Sequence, residues 1–305
     1  MKNNNAILLG QAPGGQSGMT LIELSVVLLV LIGLAGLLIP YVSGFVGKTH
    51  DSTGTNNLAN LDNSVQRYHT QFMGAPNNME ALINGAAATA AAAPDCTGAA
   101  ADAVYCKMMH TGFFATATVD SAAGMTTAER IRFNSLNMAG ITSLYYNNPD
   151  TGNATFQSTL GTPTTLEGAA HTIATVAAAE GSVENHMAAA FGRPANNFDS
   201  TCYDYVAFGI GDGSSMSGRV MSTAPVHFAS QGSMGPVNKY NRFIAVYQVD
   251  KLDTAVAAGA TNSGCTAGME AAKFIGTAMA MGSGAGHLWG TAHSLSHSYE
   301  NIANN

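Results

Sequence analysis

The chain has 305 residues, of which 10% are charged, with 12 Lys and Arg set against 19 Asp and Glu; globular proteins usually carry about 25%. A net charge of −7 with no cluster of basic residues sets aside nucleic acid as a primary ligand, because phosphate backbones are held by concentrated positive charge. Gly, Ala, Ser, Thr and Asn are abundant, and solubility therefore rests on neutral polar groups.

Residues 1–18 are polar and Gly-rich, with Lys2 as their one basic side chain. The next stretch is made for lipid. Between Lys2 and Lys48 the only charged side chain is Glu23, and a helix over 19–39 would reach about 30 Å, the hydrocarbon thickness of a bilayer. A secretory signal would put basic residues directly before a shorter apolar run and a small-residue cleavage site after it. Neither feature is present, so retention of the apolar helix is expected.

Glu23 is the anomaly. A carboxylate costs about 2.5–3.5 kcal/mol at mid-bilayer and normally has a partner there, yet nothing within the helix can serve. A cut after Gly18 would create an α-amino group on Met19, four residues ahead of Glu23 and of opposite charge.

Gly18, Met19, Thr20, Leu21, Ile22 and Glu23, followed by a charge-free apolar run, resemble the class III signal of type IV prepilins and type II secretion pseudopilins. The resemblance covers about residues 18–68. Gln16 and Ser17 stand where many members carry Lys or Arg. The resemblance implies that a prepilin peptidase cleaves after Gly18 and methylates Met19. It also implies that Glu23 pairs with the N-terminal amine of a neighbouring subunit during filament assembly. Gly33, Gly36 and Pro40 would mark the part of the helix that loosens on leaving the membrane; Gly and Pro are otherwise simply tolerated in membrane helices.

The implied fold class is α+β and pilin-like: a long N-terminal helix, half membrane-spanning and half amphipathic, packed on a C-terminal antiparallel sheet head. The implied parts are a leader 1–18, a membrane or filament-core helix 19–42, an amphipathic half 43–75 and an extracellular head 76–305. Implied partners are identical or related pilin subunits, the peptidase and an inner-membrane assembly platform. The protein would reside in the inner membrane before assembly and in an extracellular filament or periplasmic pseudopilus afterwards. A minor pilin or pseudopilin, or an adhesin whose head binds a surface or glycan, are the alternatives.

Leu58, Leu61, Val65, Tyr68 and Phe72 recur at steps of three and four, giving an apolar stripe on one helical face. The glycines at 44, 47 and 54 predict an interruption over 43–55, and Gly74 with Pro76 predicts the helix end. Residues 86–93 are nearly all alanine and are assigned no role. Residues 120–127 and 147–153 read as turns from their Gly, Asn, Asp and Pro content. Residues 166–191 read as helical, with Ile173, Val176, Ala177 and Val183 on one face. Strands are expected at 203–210, 226–228 and 242–249, where Tyr, Val, Phe and Ile concentrate between turn residues.

Cys96, Cys106, Cys202 and Cys265 form an even, irregularly spaced set, which suits disulfides in an oxidising compartment. Three pairings are open; Cys96 with Cys106 and Cys202 with Cys265 is preferred because the first closes a short local loop. Gly209, Gly211 and Gly213 do not match a phosphate-loop spacing and read as a turn. Asp212 with Ser214 and Ser215, or Asp150 with Asn153, offer oxygens to calcium without an EF-hand pattern. His293, His297, Glu300 and His287 could group around a transition metal only if the tail were helical. No metal or cofactor is assigned. No nucleophile elbow, zinc-protease or kinase pattern is present, and the chain is expected to be non-enzymatic.

Overall fold

The computed structural model describes residues 20–84, 114–124, 127–147, 162–177, 181–225, 243–251, 270–279 and 289–290. Two compact units divide the chain, Met1–Val46 and Gly47–Asn305. Helix α1, Leu21–Phe72, belongs to both. No break occurs over 43–55, contrary to the expectation from its glycines. A glycine costs a helix only about 1 kcal/mol, and the packing of the stripe that follows outweighs it.

The second unit holds nine strands among its described residues: β1 Met79–Asn84, β2 Phe114–Asp120, β3 Ser143–Asn147, β4 Thr164–Thr165, β5 Ala170–Val176, β6 Tyr203–Gly209, β7 Phe243–Asp250, β8 Lys273–Met279 and β9 Trp289–Gly290. Two short helices join them, α2 Ala128–Met138 and α3 Val183–Phe191. The main path of the sheet runs β4-β3-β1-β6-β7-β8-β9, while β2 pairs with β5 and β5 with β6. Most pairs are antiparallel, but β1 runs parallel to β3, so the sheet is mixed rather than purely antiparallel. The coarse class is α+β.

Covering helices explain the strand sequences. Leu58, Leu61, Val65 and Tyr68 of α1 and Phe133 and Leu136 of α2 share one buried cluster with Val206, Phe208, Phe243, Tyr247 and Val249. On the opposite face, Met187, Ala190 and Phe191 of α3 share a second cluster with Tyr205, Ala207, Ile244 and Val246. The central strands β6 and β7 are therefore buried on both faces, so their sequences read as near-continuous apolar runs instead of alternating. A hydrogen bond fastens α1 further, Thr277 Oγ1 donating to the carbonyl of Leu58 at 3.0 Å.

Residues 170–176 form a strand, not the helix expected there. All seven residues of β5 pair with β2 in register, from Ala170 with Asp120 to Val176 with Phe114. The sequence AHTIATV is rich in β-branched residues, which suit a pleated surface, and that preference prevails over an apparent helical face. A helix begins only at Val183, where the Ser182 hydroxyl accepts from the Asn185 N–H at 3.1 Å, an ordinary N-cap.

The end of α1 falls where expected, by a different residue. Met73 carries the left-handed φ of 53°. Gly74 is needed for proximity instead: a Cβ there would lie 3.3 Å from the carbonyl oxygen of Ala139, whose oxygen also accepts from the Ala75 N–H. Strand 226–228, the alanine run 86–93 and residues 148–153 of the second expected turn lie outside the described residues.

Candidate functional site

The helix α1 starts with a reciprocal cap. Glu23 Oε2 accepts from the Thr20 backbone N–H at 2.9 Å and from the Thr20 hydroxyl at 3.0 Å, while the Glu23 N–H donates to Thr20 Oγ1 at 3.3 Å. This is the capping-box arrangement, Thr at the N-cap and Glu three residues on. It turns the carboxylate back toward the amino end of the helix. Sequence reasoning named Thr20 only as part of the signal motif and missed its capping role, although the T-x-x-E spacing was visible.

Behind that cap lies Leu21–Ile39, 19 residues long enough and apolar enough to cross a membrane, with 0% of it buried within the protein. A signal sequence would pass the same test of length and composition. Leu21, Ile22, Leu29, Ile32 and Leu37 are each at least 70% exposed, so no part of the chain's own described residues covers them. At Gly33 and Gly36 an added Cβ would meet nothing within 4 Å. Neither glycine is required by packing within one chain. Pro40 lies inside α1; Gly18 and Met19 are outside the described residues.

Cys202 is disulfide-bonded. Its partner is one of Cys96, Cys106 and Cys265, all outside the described residues. Two hydrogen bonds fix its backbone: the Cys202 N–H donates to Asp199 Oδ1 at 3.2 Å, and its carbonyl accepts from the Lys251 N–H at 3.0 Å. Thus the entry to β6 is held against the exit of β7.

The glycine-rich loop after β6 serves packing. A Cβ on Gly211 would lie 1.8 Å from Glu80 Oε1, and one on Gly213 would lie 2.4 Å from the Tyr145 ring. Asp212 Oδ1 accepts from the Ala224 N–H at 2.5 Å, and Ser215 exchanges two hydrogen bonds with Asn77. Those oxygens close the loop on itself and on the residues before β1. Among the described residues no three His, Cys, Asp or Glu side chains converge on one point. Asp150, Asn153, His287, His293, His297 and Glu300 lie outside them.

One end of the sheet carries a tighter charge group. Arg132 of α2 pairs with Asp204 of β6 at 2.5 Å and also donates to the Thr118 carbonyl, while Lys251 approaches the other Asp204 oxygen at 3.4 Å. Both cations sit on the one carboxylate. This ties α2 to β2 and β6.

Compared with family models, with curated proteins and with solved structures, the chain matches none.

Proposed function

We propose that the protein is a structural subunit of a type IV pilus-like filament, processed by a prepilin peptidase after Gly18 and assembled through its apolar helix. The observation that carries this reading is the capped start of α1: a carboxylate held at the head of a 19-residue apolar helix that is 0% buried. Such a surface needs lipid or other subunits to cover it, and an anion at its tip needs a cation at the same depth. An amine on Met19 of a neighbouring subunit would supply that charge. Exposed Gly33 and Gly36, unneeded within one chain, suit close approach or loosening between helices.

In this reading the head is pilin-like, with the Leu58 to Tyr68 stripe docked on the sheet and a disulfide at Cys202 suited to an oxidising exterior. The protein passes from the inner membrane to the filament. N-terminal mass spectrometry of the surface protein, run beside a Glu23→Ala variant, tests it. The mature chain is expected to begin at methylated Met19, with the variant cut normally but assembled poorly. A surface protein that retains Met1, or a variant that assembles as well as the parent, would overturn the proposal.

A further inference from the structure

Among the described residues, His69 Nε2 and the Tyr247 hydroxyl are two of the buried side-chain atoms without a hydrogen-bond partner, and they belong to neighbouring rings. The His69 ring lies 6.1 Å from that of Tyr247 and 6.1 Å from that of Phe274, with Tyr247 and Phe274 themselves 5.5 Å apart. Tyr247 is fully buried, at 0% exposure. An imidazole thus sits in an aromatic box where the last turns of α1 meet β7 and β8. Neutral, it packs there as a ring. Among the described residues it forms no ion pair.

Among the described residues, the Tyr247 phenol of β7 and the Phe274 ring of β8 lie against His69. Lys273 beside Phe274 is paired with Glu270, and Asp250 at the end of β7 accepts the Glu270 N–H. On α1, Tyr68 is adjacent, and Asp62 lies two turns earlier on the same face, hydrogen-bonded by Gln66 at 2.7 Å with its own carboxyl pushed up by burial. Arg219 lies over the ring of Phe72, 4.9 Å from its centre, and adds positive charge near the helix end. Burial alone pushes the His69 ring below its ordinary value of 6.5.

We propose that His69 is an acid-sensitive latch, holding the last turns of α1 on the sheet only while its ring is neutral. Because the docked ring resists protonation, the undocked state binds more protons once pH falls below the ordinary histidine value. Docking therefore weakens on acidification and is complete above that value. The inference does not depend on the filament reading.

Two measurements on the full chain test it between about pH 7.5 and about pH 5: an NMR titration of the His69 ring, and hydrogen exchange of the α1 amides at 58–72 in the parent and in His69→Phe. The ring is expected to titrate below 6.5. Exchange in the parent at pH 5 should speed relative to the variant by about eightfold where the ring is depressed by one unit, and by no more than about thirtyfold for any larger depression. Titration at or above the ordinary value, or a parent-to-variant ratio that ignores pH, overturns the latch. If His69→Phe does not fold, the titration of the parent decides alone.

Discussion

Thr20 commits its backbone N–H and its hydroxyl to one oxygen of Glu23, and takes the Glu23 N–H in return. These three bonds satisfy donors and acceptors that water would otherwise serve. A Thr20→Val variant keeps the shape and deletes the hydroxyl, costing about 1 kcal/mol of cap and releasing the carboxylate. If the chain is the filament subunit proposed above, sheared filament yield is expected to fall several-fold with the leader still removed, and Thr20→Ser to restore it. Equal yield from Thr20→Val would leave the cap without a role in assembly. The residues of this site were legible because a carboxylate in a charge-free run is conspicuous within a single line of text. Gly211 and Gly213 show the opposite case. Their turn was readable, but its reason, the carboxylate of Glu80 and the ring of Tyr145 pressed against their α-carbons, joins segments far apart in sequence.

Among the elements, the amphipathic stripe of α1 and the strands β6 and β7 were legible because each repeats one signal over many residues. Residues 170–176 were misread because both faces of β5 are nearly all buried, which erases the alternation that identifies a strand. Strands β1, β2 and β3, by contrast, gave no clear signal, lacking the run of Tyr, Val, Phe and Ile that marks β6 and β7. Helix α3 shows how local contacts supplement a weak pattern. Glu184 in its first turn accepts the Ser200 N–H at 2.8 Å, and hydrogen bonding by Ser200 holds its carboxyl down at about 2 against an ordinary 4.5. A carboxyl lowered in the folded state contributes stability that is complete above 4.5 and fades as pH falls toward 2. Thermal unfolding of a Glu184→Gln variant is expected to lose that slope in the acid range and keep its shape near neutrality. An unchanged acid slope would mean that other carboxyls carry it.

At the level of the whole molecule, the two units differ in what stabilises them. The second has its own double-sided core, with α1 and α2 on one face of the sheet and α3 on the other. The first contributes apolar residues with 0% burial, hence no share of that core. A fragment beginning at Gly47, the first residue of the second unit, should accordingly be soluble without detergent and retain the stripe from Leu58 to Tyr68. Its melting temperature, measured in the same detergent as the full chain, is expected to agree within about 4 °C, the shift that roughly 1 kcal/mol produces in a domain of this size. A larger loss would show that the apolar half of α1 supports the head as well as the membrane or filament. Agreement would mean that the head is stable without this segment, as the proposed passage from bilayer to filament requires.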